Sequence, residues 1–173
     1  MIGILVIGKM DYEKIVDISL TSRAFGAGNI TICESDMKTI KKSTAYLNKI
    51  KSNWGGNFSI NFITNWKEFI KSRKNTYKMI YLTRYGSDIK KTNTIQTYKN
   101  IMLIVSNSEN IKELYNIADF NISITTQPHT IISSIAVFLN IYYRGRELAM
   151  HFENAKYKII PSSHGIHVEK HEH

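Results

Sequence analysis

Three short polar runs hold most of the side chains that could do chemistry: Leu82-Thr83-Arg84-Tyr85-Gly86, Ser106-Asn107-Ser108 and Thr125-Thr126-Gln127-Pro128-His129-Thr130. Each directly follows a short apolar run and reads as the exit loop of a buried strand. In an open parallel sheet, ligands bind beyond the carboxyl ends of the strands, so these loops are the place to seek a site. His129 is the one imidazole among them, a side chain able to take or give a proton near neutral pH. It is equally suited to capping the helix that follows. The chain has no P-loop, GxSxG or HExxH, and no G-x-G-x-x-G after its first strand. Gly26-Ala27-Gly28 follows a helical stretch, where glycine ends helices more often than it binds phosphate. His164, His167, His171 and His173 have a spacing that could hold a metal, but a solvated tail accounts for them better and no metal is expected. Trp54 and Trp66 flank basic stretches and could stack on bases; core packing is the better reading for Trp66 and Trp54 stays open.

The elements that must position these loops alternate. Ile2–Ile7, Ile30–Cys33, Phe58–Ile63, Met79–Leu82, Ile101–Val105 and Ile122–Ile124 read as strands buried on both faces. Between them the spacing predicts helices over Asp11–Gly26, over Asp36–Ser52 with Ile40, Tyr46, Leu47 and Ile50 facing inward, and over Thr64–Ser72 with a Thr cap. Weaker helices fall over Ser87–Thr97 and Ser108–Ala118. The most apolar helix, Thr130–Tyr143, is expected deep in the fold. Strands alternating with helices imply an α/β fold with a mostly parallel sheet flanked by helices. Lys156–Pro161 and Ile166–Glu169 flank Ser-Ser-His-Gly and read as a short C-terminal β-hairpin.

Composition bounds the function. At 173 residues, 43% of them hydrophobic, the chain suits one domain spanning 1–173 with a full core. One cysteine, Cys33, excludes an internal disulfide and a Cys-rich zinc site. No apolar run approaches the roughly 20 residues of a membrane span, and Met1 to Gly8 reads as a strand rather than a signal peptide, so a cytoplasmic protein with no membrane partner is expected. The net charge of +9 is unevenly spread. Lys38 to Lys99 holds fourteen basic and two acidic residues, against nine basic and twelve acidic in the rest. Such segregation suggests a polyanion-binding face, most simply for nucleic acid; biased codon usage is the plain alternative.

Thr21-Ser22-Arg23-Ala24-Phe25-Gly26-Ala27 is similar to the first motif of the archaeal tRNA (cytidine-56) 2′-O-methyltransferases, members of the SPOUT superfamily. Tyr81-Leu82-Thr83-Arg84-Tyr85-Gly86 and Ala118-Asp119-Phe120-Asn121 leading to Gln127-Pro128-His129 match in the same order. The resemblance resumes at Phe152-Glu153-Asn154-Ala155-Lys156 and covers nearly the whole chain.

The resemblance implies a SPOUT fold with a C-terminal trefoil knot and S-adenosylmethionine as cofactor. The cofactor loops would be Leu82, then Ser106, Asn107, Ser108, Glu109 and Asn110, then Thr125, Thr126, Gln127, Pro128, His129, Thr130, Ile131 and Ile132. The implied reaction is methylation of the ribose of cytidine-56 in the tRNA T loop, by a homodimer that builds its site across the interface. Arg23 would contact the acceptor ribose and phosphate as a catalytic residue, with His129 a chemically easier proton acceptor. The RNA would meet Arg23, Lys41, Lys42, Lys71 and Arg73. A different tRNA or rRNA nucleotide, or an RNA-binding module that has lost the cofactor, are the alternatives. Ser106 and Thr125 stand where the family has glycine, and a Cβ there is expected to crowd the cofactor or demand another φ. Lys9 to Ile15 replaces an Arg/His-rich stretch, and Asp17 a residue that is commonly His.

Overall fold

The computed structural model describes residues 1–91, 93–108 and 111–171. Six strands form one parallel sheet: β1 (Ile2–Ile7), β2 (Asn29–Cys33), β3 (Ser59–Ile63), β4 (Lys78–Asp88), β5 (Ile101–Ser106) and β6 (Phe120–Ser123). Their order is β3-β2-β1-β5-β4-β6. The central strand is paired on both sides, Ile4 opposite Ile30 and Leu103. Alternation of side chains along β1 divides the core. Ile2, Ile4 and Val6 face α1 (Tyr12–Ala24) and α5 (Ile131–Tyr143), whereas Leu5 and Ile7 face α3 (Trp66–Arg73) and α4 (Lys112–Ile117). The fifth helix, α2 (Met37–Trp54), packs on α1. The apolar runs expected as strands all hold strands, and in the inner ones both faces are covered.

Helix starts follow local chemistry. Asp11, Asp36 and Thr130 accept a backbone N–H three residues on. For α3 the cap is Asn65, one residue beyond the expected Thr64; its Oδ1 accepts from the Lys67 and Glu68 amides. On α2, Leu47 is buried as expected, but Tyr46 is exposed and lies edge-on to Tyr12.

Three other expectations are corrected. β3 is an edge strand with Ser59 and Asn61 exposed, not buried on both faces. The helix expected over Ser87–Thr97 is absent: β4 runs on to Asp88, and two 3-10 turns follow at Ile89–Lys91 and Asn93–Thr97. Among the described residues there, Ile89 and Ile95 are the buried ones, a spacing no single helix face satisfies. Of the helix expected over Ser108–Ala118, the described residues form α4, and residues 109 and 110 lie outside the described ones.

Strand β4 carries the feature that shapes the site. Leu82 and Ser87 both pair with Ile122 of β6, so residues 83–86 loop out of the ladder. At the other end of the sheet α5 returns the chain to the amino ends of the strands. There the Phe152–Tyr157 segment docks on α2's end, the Gly56 amide donating to the Glu153 carbonyl at 2.8 Å. The hairpin expected at the C-terminus is present as β7 (Tyr157–Ile159) and β8 (Val168–Lys170), paired antiparallel.

Candidate functional site

A cavity of about 470 Å³ opens at the carboxyl ends of the strands. That size is ordinary for a small-molecule site. Its floor is apolar, with Leu82, Val105, Ile124, Ile131 and Ile132, and its rim carries Thr83, Ser106, Ser108 and Thr130 hydroxyls. One wall belongs to the loop that leaves the β4 ladder. Thr83 Oγ1 is 2.7 Å from the Tyr115 hydroxyl and accepts the Tyr85 amide at 3.4 Å. Tyr115 in turn packs edge-on to Tyr81. Burial, with the Tyr115 hydroxyl nearby, pushes the Tyr81 phenol up to about 12, so it stays neutral.

The second wall is the β5 exit. The Ser106 hydroxyl accepts the Ser108 amide at 3.0 Å and donates to the Ser108 carbonyl at 2.8 Å. The Asn107 side-chain amide donates to the Lys9 carbonyl, which ties this loop to the exit of β1. The third wall is the β6 exit and the first turn of α5. Thr125 Oγ1 accepts the Gln127 amide at 3.2 Å, and His129 Nδ1 lies 2.7 Å from the Gln127 carbonyl. A carbonyl only accepts, so Nδ1 carries a proton, and in the neutral ring the lone pair is the one at Nε2.

Of the residues expected to hold a cofactor, Leu82, Ser106, Asn107, Ser108, Pro128, His129, Thr130, Ile131 and Ile132 line this cleft together. Thr125, Thr126 and Gln127 do not line it; the first and third act through the hydrogen bonds just described. Glu109 and Asn110 lie outside the described residues. Neither Ser106 nor Thr125 is in the left-handed region, so neither needs the backbone freedom of glycine. Thr83, Arg84 and Tyr85, from the first of the three exit loops, line it as well, and the unforeseen lining residues include Tyr81, Met10 just before α1, and Lys14 and Ile18 on α1. Lys14 and Ile18 are four apart and so share one face of α1, which helical periodicity could have revealed. Lys14 has no ion pair among the described residues.

Arg23 does not line the cleft. It lies five residues beyond Ile18 along α1, roughly 7.5 Å further from the site at 1.5 Å per residue. It is 9% exposed, and its Nη2 donates to the Trp54 and Gly55 carbonyls at 2.7 and 2.8 Å. Its guanidinium carbon sits 4.4 Å from the centre of the Phe152 ring. Burial lowers its pKa from the ordinary value. It braces the ends of α1 and α2 against the C-terminal segment.

The basic residues divide as well. Lys41 and Lys42 are in the second turn of α2, near the cleft end of the sheet, with Lys42 Nζ 3.7 Å from the Tyr12 ring centre. Lys71 and Arg73 end α3, on the opposite face and at the opposite end, with Arg73 5.7 Å from Phe69. The four do not form one surface. Trp54 is half-buried on Tyr157 at 6.0 Å, and Trp66 packs in the second core cluster. His164, His167 and His171 are exposed, and His173 is outside the described residues, among which no group of three or more His, Cys, Asp or Glu could hold a metal. No helix among them is long and apolar enough to cross a membrane.

The family model described as tRNA ribose 2′-O-methyltransferase, aTrm56, matches residues 54–169. A Nitrosopumilus maritimus protein named tRNA (cytidine(56)-2′-O)-methyltransferase is 38% identical over 154 residues, 88% of this chain and 85% of that one. A relative of the same name from Methanococcus maripaludis is 34% identical over 161 residues, 90% and 88% of the two chains. Among solved structures, the SpoU methyltransferase AviRb from Streptomyces viridochromogenes in complex with AdoMet superposes with a TM-score of 0.59. It is 12% identical and the match covers 83% of this chain and 57% of that one.

Proposed function

Because the chain belongs to the tRNA ribose 2′-O-methyltransferase family, we propose that it methylates the 2′-hydroxyl of cytidine-56 in the tRNA T loop with S-adenosylmethionine. The cleft that joins three strand exits around a His129 with a free Nε2 carries this reading. Its residues fit the cofactor: Leu82, Ile124, Ile131 and Ile132 offer an apolar bed, and Ser106 to Ser108 and Thr130 to Ile132 surround it with main-chain groups and hydroxyls. When bound, S-adenosylmethionine supplies a sulfonium-borne methyl group that a ribose oxygen can displace.

The chain's own tasks are then two. It holds the ribose hydroxyl in line, and it accepts the hydroxyl proton. His129 Nε2 takes that proton, while the Gln127 carbonyl on Nδ1 fixes the orientation of the ring. Lys14, on the α1 wall, offers a cation to a substrate phosphate. A homodimer is the arrangement that would bring Arg23 of the partner subunit towards this cleft. The knot implied by the resemblance would be made by the chain segments that frame it. The RNA would approach the end of the sheet that carries Lys41 and Lys42, and the enzyme would work where tRNA is, in the cytoplasm.

The test is methyl transfer from labelled S-adenosylmethionine to an unmodified tRNA transcript, followed by mapping of the modified ribose. Label at position 56, lost when that nucleotide is 2′-deoxy, supports the reading. Label at another ribose, or none, overturns it.

A further inference from the structure

The geometry points to Tyr85 as a stacking platform for an unpaired nucleobase of the RNA substrate. Tyr85 is a cleft-lining residue that is 66% exposed. Its ring joins none of the aromatic pairs found among the described residues, whereas the other exposed ring, Tyr46, rests on Tyr12. A large ring left open at the mouth of a cavity is apolar surface awaiting a flat partner. The loop beneath it is fixed from below. Thr83 Oγ1 accepts the Tyr85 amide and is itself held by Tyr115, and Gly86 lies so close to β6 that a Cβ would be 2.5 Å from the Ile122 nitrogen. Tyr85 is therefore an exposed side chain on a rigid stem, with few rotatable bonds of its own to freeze on binding.

The position selects the ligand. The apolar residues suited to a cofactor, Ile124, Ile131 and Ile132, are half-buried on the floor, while Tyr85 stands at the rim, where a ribose entering from solvent would bring its base. Single-stranded and splayed RNA bases are recognised by stacking on aromatic rings of this kind. The inference rests on the methyltransferase reading for the identity of the RNA, and makes Tyr85 a substrate-binding residue of that site.

The experiment compares the wild type with Tyr85→Ala, Tyr85→Phe and Tyr85→Trp. Tyr85→Ala raises KM for tRNA by about tenfold or more, as for loss of one base stack, and leaves S-adenosylhomocysteine affinity unchanged. Tyr85→Phe restores KM, because the ring and not the hydroxyl does the stacking. In Tyr85→Trp, tRNA quenches indole emission beyond the change seen in wild type from Trp54 and Trp66. An unaltered KM in Tyr85→Ala, a matching loss of S-adenosylhomocysteine affinity, or no added quenching in Tyr85→Trp each overturns the platform. Quenching is read without turnover, so a wild type that binds tRNA but transfers no methyl counts against the methyltransferase reading alone.

Discussion

Replacing Gly86 with Ala tests the construction of the cleft most directly. Gly86 does not have a positive φ, so it is not required for backbone freedom. It is required for space: a Cβ would lie 2.5 Å from the Ile122 nitrogen and 2.6 Å from the Asn121 carbonyl carbon and oxygen. Those atoms are strand backbone and cannot rotate away. Restoring ordinary contact at about 3.4 Å means lifting this part of β4 off β6 by roughly 1 Å, which overpacking of this kind makes costly, at about 1–3 kcal/mol. The Ser87–Ile122 and Asp88–Ser123 pairing is strained too, and one lost backbone hydrogen bond adds about 1 kcal/mol. For a chain of this length each kcal/mol lowers Tm by about 2–4 °C, so a fall of roughly 4–16 °C is expected. At 25 °C the variant is still folded, but the Thr83–Tyr85 wall is displaced, and a misplacement of about 1 Å can slow the chemical step by about a hundredfold. Thermal melting reads the first effect, and calorimetric titration with S-adenosylhomocysteine together with a methyl-transfer rate reads the second. Gly145→Ala is the control: nothing lies within 4 Å of its Cβ, though its φ is +75°. It should lose only about 1–2 kcal/mol of left-handed strain, with cofactor affinity intact. A Gly86→Ala protein that melts and binds like the wild type would refute the close-approach argument. One that melts lower yet binds and turns over normally would show that the loop does not depend on this contact.

Arg23→Ala leaves the Trp54 and Gly55 carbonyls without their charged donor, and bonds of that kind contribute about 1.5–3 kcal/mol each; urea unfolding should show a loss of at least one such bond, and unchanged stability would remove the bracing role. In mixed dimers of Arg23→Ala and His129→Ala subunits, recovery of activity is expected only if Arg23 serves the partner's cleft. Tyr81 holds its proton to about 12 when folded, above the ordinary tyrosine value of about 10. Its contribution to stability is therefore complete below about pH 10 and declines as pH rises towards about 12. Tyr81→Phe should flatten that alkaline decline in urea melts, and an unchanged slope would assign it to Tyr142 and Tyr143, whose phenols burial also raises. Neutralising Lys41 and Lys42 should weaken tRNA binding and lower its salt slope by about one to two units, whereas neutralising Lys71 and Arg73 should do little. Equal effects from the two pairs would mean that the RNA also covers the far end of the sheet.

The strands were legible because burial on both faces leaves a run of β-branched residues, and the rule for strand exits then led to the cleft. What stayed hidden was decided by contacts far apart in sequence. Nothing in Ser87–Asp88 announces a strand, because those residues extend β4 only by pairing with Ile122 and Ser123 across a bulge. The Arg23 motif is recognisable, but its guanidinium partners are carbonyls 31 and 32 residues away. A motif names a residue type at a position; it does not say which way the side chain turns. The basic segment misled in the same manner: Lys41 and Lys71 lie close in the sequence, yet one parallel crossover puts them on opposite faces.

Ser106 and Thr125, expected from the resemblance to stand in place of glycine, show how a hydroxyl can hold a loop. Ser106 closes its own turn through both hydrogen bonds to Ser108, so the hydroxyl is turned back onto the loop. Thr125 does the same for the Gln127 amide, with a further consequence. The peptide it holds is followed by the Gln127 carbonyl, and that carbonyl receives the proton of His129 Nδ1. Thr125 thus reaches the imidazole through a relay of two hydrogen bonds and helps decide which ring nitrogen faces the cleft. Where glycine would leave this turn free to flex, a hydroxyl fixes it. The tautomer of the proposed proton acceptor is then a property of the loop as much as of the histidine.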